Sequence, residues 1–184
     1  NNYAGAGNYK FSIVRYGNVL GSRGSIIPYL LKTSKKGHVN ITDLSMTRFN
    51  ITLQESVKMV LFALNESNGG EIFVPKIPSY RLIDLVKAVS PNCKVNIIGI
   101  RPGEKTNEEM ITSSDSFNTI DIGKYFIILP SSNKKLLNKI SQKFKVKKFP
   151  KNTSYNSGTN KKFLSIFELR KMIKENIDKN FSPF

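Results

Sequence analysis

Apolar residues along this chain follow two alternating rhythms: short continuous runs, and longer stretches in which they recur every three or four positions. The runs "KFSIVR" (10–15), "VNITD" (39–43), "GGEIFVPK" (69–76), "CKVNIIGI" (93–100) and "YFIILP" (125–130) have the length of strands. Between them lie stretches that predict helices. "GSIIPYLLKTSKKG" (24–37) sets Ile26, Ile27, Leu30 and Leu31 behind a capping Ser25 and ends on Gly37. Pro28 suits its first turn, where a backbone N–H has no helical partner. "TLQESVKMVLFALNES" (52–67) opens on Thr52 with a capping-box Glu55 and repeats Val57, Val60, Leu61 and Leu64. "SYRLIDLVKAV" (79–89), the short "GEKTNEEMI" (103–111) and "SIFELRKMIKENI" (165–177), capped by Ser165, complete the helices. The polar, Lys/Asn-rich stretch from Ser131 to about Asn152 predicts no element. Alternation of this kind belongs to the α/β or α+β class.

Composition narrows the class without deciding the chemistry. A chain of 184 residues with 39% hydrophobic and 10% aromatic residues holds one real core, or a core and a small appendage. No apolar run is long enough to span a bilayer, and the first residues show no signal-peptide pattern, so a cytoplasmic protein without a membrane partner is expected. One cysteine and one histidine argue against a disulfide framework and against a zinc site built from those ligands; no metal is expected. The formal charge of +16 raises the question of nucleic acid, but its distribution answers it. Residues 1–133 carry 15 basic against 10 acidic side chains; residues 134–184 carry 14 against 3. Twenty-three of the 29 cations are lysines, whereas readers of bases and phosphates favour the arginine fork. A lysine-decorated solvent face is the expectation, and no nucleic-acid partner.

Four constellations carry candidate chemistry. The loop "RYGNVLGSRGS" (15–25) places three glycines in eight residues, either as a plain strand-to-helix turn or as a cradle for a phosphate or cofactor. In "ITDLSMTRFNI" (41–51), Arg48 between apolar neighbours requires an anion, an internal carboxylate or a bound phosphate. "IGIRPGEKTNEEM" (98–110) presents Arg101 and Glu104 at a strand end, suited to a diphosphate and a ribose hydroxyl, or to a local ion pair. "SYNSGTN" (154–160) is a turn dense in hydrogen-bonding side chains.

Taken in order, "FSIVRYGNVLGSRGSIIPYL", "ITDLSMTRFNITLQESV", "GGEIFVPKIPSYRLIDLVKAV", "IIGIRPGEKTNEEMI" and "YNSGTN" resemble the second half of an extended short-chain dehydrogenase/reductase acting on a nucleotide sugar. More closely, the chain resembles the inverting UDP-N-acetylglucosamine 4,6-dehydratases of bacterial polysaccharide and flagellin-glycan biosynthesis. The resemblance covers most of Phe11 to Ile111 and fades in the Lys-rich stretch between Ser132 and Lys151. It implies that Tyr16, Gly17 and Val19 lie against the nicotinamide end of NADP. It further implies that Asn18 hydrogen-bonds the substrate, and that Arg23, Gly24 and Ser25 line the nucleotide-sugar pocket. Arg48 and Arg101 would neutralise the diphosphate, Glu104 would meet the ribose or hold Arg101, and Tyr155 and Asn160 would close the site.

The resemblance also sets expectations for the whole. The implied reaction is a closed redox cycle in which C4 is oxidised, the C5 proton is removed, water leaves C6, and hydride returns to C6 with inversion at C5. The chain carries neither the glycine-rich pyrophosphate turn, the Thr-Asp-Lys segment nor the Tyr-x-x-x-Lys pair of that family, so no catalytic residue is assigned. The expectation is therefore a C-terminal part: the last strands of a Rossmann-like sheet and a smaller α/β substrate-binding domain, with the N-terminal nucleotide-binding half missing and the piece inactive alone. Residues 1–131 would hold the sheet end and the sugar-binding region, 132–152 a variable segment, and 153–184 a closing loop and helix. The intact protein would associate as a homo-oligomer around a UDP-sugar. Alternatives are a retaining dehydratase or epimerase on the same scaffold, a polyanion-binding fragment driven by the basic tail, and a truncated product without function.

Overall fold

The computed structural model describes residues 9–130 and 134–183. In chain order the elements are β1 (Ile13–Val14), β2 (Asn18–Val19), α1 (Ile26–Thr33), β3 (His38–Ile41), β4 (Thr47–Ile51) and α2 (Leu53–Glu66). There follow β5 (Ile72–Pro75), β6 (Ser79–Arg81), α3 (Leu82–Val89), β7 (Lys94–Ile97), β8 (Glu109–Ile111) and β9 (Thr119–Asp121). The last are β10 (Tyr125–Ile128), α4 (Lys134–Lys143), β11 (Lys147–Lys148), β12 (Tyr155–Asn156) and α5 (Ile166–Asn176). They form two units, each with its own core.

The first unit takes in the described residues up to Tyr16 with Gln54–Lys76 and Glu109–Tyr155. Its sheet has the order β1-β5-β10-β9-β11, with β1 and β5 parallel and the remaining pairs antiparallel. Helices α2 and α4 bring Met59, Ala63, Leu136 and Ile140 into one core with Phe73 and Ile127. Phe62 stacks on Tyr125 at 4.6 Å and meets Phe144 edge-on at 5.8 Å. At the foot of β1, Arg15 donates to the Met110 carbonyl at 2.8 Å and to Asp115 at 3.1 Å. Burial lifts the Asp115 carboxyl, but the Thr112 N–H and the Arg15 guanidinium outweigh it and hold the group below the usual carboxylate value.

The second unit comprises Gly17–Leu53, Ile77–Glu108 and Asn156–Phe184. A three-stranded sheet β2-β4-β6 pairs β2 with β4 in parallel and β4 with β6 antiparallel, and β3 pairs β7 in parallel in full register. Helices α1, α3 and α5 close over a core of Leu30, Ile41, Met46, Leu85, Val86 and Ile173. Ser165 caps α5 as the sequence predicts, and Glu168 answers it to make a reciprocal capping box. Gly17 is dictated by packing: a β-carbon there would lie 2.4 Å from the β-carbon of Phe49 on β4.

Several expectations change. From Ile13 onward strands and helices alternate in β-α-β order, and β1 lies parallel to β5 with α2 leading into it. A Rossmann-type β-α-β pattern is thus built inside the chain. The expectations of a C-terminal part lacking the nucleotide-binding half, and of inactivity on that ground, are withdrawn. Residues 103–111 form no helix: Gly103 turns at φ +81°, and Glu109–Ile111 is a strand. Ser79–Arg81 pairs with β4 instead of opening α3. Ser25 occupies the N-cap of α1, but its hydroxyl makes no capping bond. Residues 134–143, assigned nothing from sequence, form α4 on buried Leu136 and Ile140, one turn apart. Residues 131–133 of that stretch and residues 1–8 lie outside the described residues. Among the described residues no helix is long and apolar enough to cross a membrane.

Two stability predictions follow from these cores. Leu85→Ala, at a fully buried position, should lower unfolding free energy by about 2–5 kcal/mol, whereas Ser165→Ala should cost about 1 kcal/mol, both read from urea titrations. Because the folded Asp115 pKa is depressed, its contribution is full above the ordinary value of 3.8 and is lost as pH falls through the lower folded value. Acid titration should therefore cost the wild-type chain stability over that window, while Asp115→Asn shows a flatter profile there.

Candidate functional site

The second unit encloses a cavity of about 510 Å³ whose wall is made by the β2–α1 loop, the ends of β3 and β4, β6 and the 98–104 turn. Its position follows from backbone chemistry. The loop can swing away from β2 because Gly21 and Gly24 sit at φ +73° and +78°, and α1 then begins at the cavity wall. The first-turn N–H groups of a helix lack helical partners, so that wall is electropositive. Ser25 sits there with its hydroxyl buried and without a hydrogen-bond partner. A buried hydroxyl in that condition is unusual.

Seven residues singled out in the sequence line this cavity together: Asn18, Val19, Gly24, Ser25, Arg48, Arg101 and Glu104. Glu104 accepts the Thr42 hydroxyl at 3.1 Å and the backbone N–H of Arg101 at 3.4 Å. The Arg101 guanidinium engages no group among the described residues, so the local ion pair considered from the sequence is not formed. Arg48 is held from behind: it donates to the carbonyls of Thr47 at 2.7 Å and Thr106 at 2.9 Å, and its Nε lies 3.9 Å from Glu108. The anion demanded by this half-buried arginine is thus supplied in part by the protein.

Glu108 was not singled out from the sequence, and it organises the floor. One carboxylate oxygen accepts the Asn18 side-chain N–H at 2.9 Å, and the other accepts the backbone N–H of Phe49 at 2.8 Å. Its own backbone exchanges two bonds with Ser157, N–H to Oγ at 2.9 Å and C=O from the Ser157 N–H at 2.8 Å. Burial pushes the Glu108 carboxyl above its usual range, against the lowering pull of the Phe49 N–H, Arg48 and Asn18. Tyr80, also on the cavity wall and almost wholly buried, has its phenol pushed up by burial and by the Glu108 charge. Only the sequence position of Glu108, four residues past Glu104, hinted at a role.

The remaining expected residues lie elsewhere. Arg23 is exposed and off the cavity wall. Asn160 turns its amide onto the Ile77 carbonyl at 2.9 Å and the Ser79 hydroxyl at 3.0 Å, bracing the approach to β6. Tyr155 belongs to the first unit, its ring edge-on to Phe126 at 5.3 Å. Of the residues expected at the nicotinamide, Gly17 makes room for Phe49, Tyr16 is 37% exposed, and Val19 alone reaches the cavity.

The chain is similar to several known proteins. Over 133 residues the chain is 49% identical to the UDP-N-acetylglucosamine 4,6-dehydratase (inverting) of Campylobacter jejuni subsp. jejuni serotype O:2, covering 71% of this chain and 40% of that protein. It is 42% identical over 122 residues to the UDP-glucose 4-epimerase of Rickettsia canadensis, covering 63% of this chain and 36% of the epimerase. The X-ray structure of Pen from Bacillus thuringiensis superposes with a TM-score of 0.76 at 34% identity, over 90% of this chain and 50% of Pen. The chain thus spans about half or less of the length of these relatives. Residues 1–130 match the family described as polysaccharide biosynthesis protein, and the chain belongs to that family.

Proposed function

We propose that the cavity of the second unit binds the diphosphate and sugar of UDP-N-acetylglucosamine, and that the protein serves its conversion to a UDP-4-keto-6-deoxy-hexosamine with inversion at C5. Membership of the family and likeness to both a dehydratase and an epimerase support nucleotide-sugar chemistry in polysaccharide biosynthesis. One observation carries the narrower reading: Arg101, whose guanidinium has no partner among the described residues, shares a cavity with Ser25 at the start of α1, whose buried hydroxyl likewise has none among them. A diphosphate supplies acceptors for both, and the helix start favours its charge. Arg48 is already braced by two carbonyls, so its remaining donors are pre-oriented at little entropic cost.

NADP is the cofactor in this reading, supported by the β-α-β alternation and the dehydratase likeness; when bound it would supply the hydride acceptor and donor at C4 and C6. The part played by this chain's described residues is binding and orientation: Val19 offers apolar contact, Asn18 a side-chain amide, Arg48 and Arg101 charge neutralisation, and Glu104 an acceptor for a ribose hydroxyl. Tyr16 and Gly17 stand in this reading as backbone and ring contacts at the nicotinamide end. Arg23, Tyr155 and Asn160 stand as outer contacts of the sugar nucleotide. A homo-oligomer and a cytoplasmic setting belong to the same proposal.

Calorimetry tests it. UDP-N-acetylglucosamine and UDP should bind at one site, and ADP and GDP should compete at least about tenfold less well. Arg101→Ala should weaken UDP binding by about ten- to a hundredfold with little change in the unfolding midpoint, because the guanidinium has no partner to lose among the described residues. Binding that ignores the base, and falls steeply with salt on any polyanion, would instead support the basic-tail reading and overturn this one.

A further inference from the structure

Asn18 stands where the cavity wall and the Glu108 cluster meet. Its amide has two faces that differ chemically, one a donor and one an acceptor, and a free asparagine could present either. Glu108 removes the choice. An ionised carboxylate only accepts hydrogen bonds, so the Asn18 group 2.9 Å from it must be Nδ2. The Asn18 side chain also donates to the Tyr80 phenol, so both contacts fall on Nδ2 and Oδ1 is left on the other branch of the planar amide, on a residue that lines the cavity.

Glu108 is itself held on every side that matters. Phe49 on β4 donates its backbone N–H to the second carboxylate oxygen, and Ser157 pins the Glu108 main chain through both its N–H and its C=O. The Arg48 guanidinium, 3.9 Å away, favours the charged form. Glu108 is not part of the cavity wall, so it acts on a ligand through the wall residues it touches, Asn18 by a hydrogen bond and Arg48 by its charge.

We propose that Glu108 is a positioning residue that sets specificity: it locks the Asn18 amide with its oxygen toward the cavity, so that the site selects a ligand carrying a hydrogen-bond donor at that point. Resting on the nucleotide-sugar reading, the donor is a hydroxyl or the acetamido N–H of the sugar. A ligand with only an acceptor there is rejected, because two acceptors would face each other out of bulk water.

Exchange of the two amide and carboxylate groups tests this. In Glu108→Gln the new amide keeps the Phe49 N–H through its oxygen and offers N–H to Asn18, which must turn over and show Nδ2 to the cavity. In the double variant Asn18→Asp/Glu108→Gln, the glutamine donates to one aspartate oxygen and the other faces the cavity, with total charge unchanged. Affinities for UDP and UDP-N-acetylglucosamine are measured for all three proteins by calorimetry. UDP affinity serves as the internal reference for each protein: the ratio of UDP-N-acetylglucosamine to UDP affinity should fall by about tenfold or more in Glu108→Gln and return in the double variant. Equal losses for UDP and the UDP-sugar, no loss, or no recovery in the double variant would overturn the proposal. If the wild type binds neither ligand, the nucleotide-sugar reading fails, and the positioning role is decided separately by NMR. The Asn18 side-chain amide protons should show a nuclear Overhauser contact to the residue-108 methylene groups in the wild type and lose it in Glu108→Gln; an unchanged contact overturns the lock.

Discussion

A carboxylate taken out of bulk water has to be matched by donors, and in the second unit that requirement falls on Glu108. Its two oxygens are satisfied by groups from different elements: the side chain of Asn18 on β2 and the backbone N–H of Phe49 on β4. Those strands share only two residue pairs, Asn18 with Asn50 and Val19 with Ile51, too few to fix a sheet by ladder bonds alone. The carboxylate therefore acts as a side-chain rung that ties them. Withdrawing it would leave a strand N–H without its acceptor and a cavity-lining amide free to turn.

The same cluster accounts for the irregular, non-helical course of residues 104–108. Thr47 receives its backbone partner from the Thr106 carbonyl at 3.0 Å, its hydroxyl donates to Asn107 at 2.7 Å, and Arg48 returns to the Thr106 carbonyl. Each is a long-range bond that a helical segment could not make. Gly158 completes the fit, since a β-carbon there would lie 2.6 Å from the Asn107 side-chain oxygen. What looked in the sequence like a loop rich in polar residues is in part the counter-surface for this segment. The cavity is accordingly built from the inside: a satisfied polar floor, and above it a wall on which the Arg101 guanidinium meets no partner among the described residues.

Periodicity alone placed helices α1, α2 and α5 and the strands β1, β3, β5, β7 and β10, because each buries one face and shows this in its spacing of apolar residues. Residue type and setting marked Arg48, Arg101 and Glu104, since arginines among apolar neighbours and at strand ends demand a partner, whereas Asn18 and Ser25 entered the site only through the family resemblance. Helix α4 was missed although Leu136, Leu137 and Ile140 carry its period, because lysines and asparagines around them dilute the pattern. Strand β6 was read as the start of a helix because three residues are too few to show a period of two.

What the sequence determined by itself is therefore local: which segments can bury a face, where the backbone needs glycine, and which charged groups cannot stand alone. Tertiary structure decided the rest. That β1 would lie parallel to β5 in a β-α-β pattern is a relation between residues about sixty positions apart, invisible to any local signal. That Arg48 would find Glu108, that Arg101 would keep its guanidinium free while its backbone engaged Glu104, and that Asn18 would have one face of its amide taken are all matters of distance in space. Chemistry types are written in residues; which acceptor each donor meets is settled only when the chain has packed.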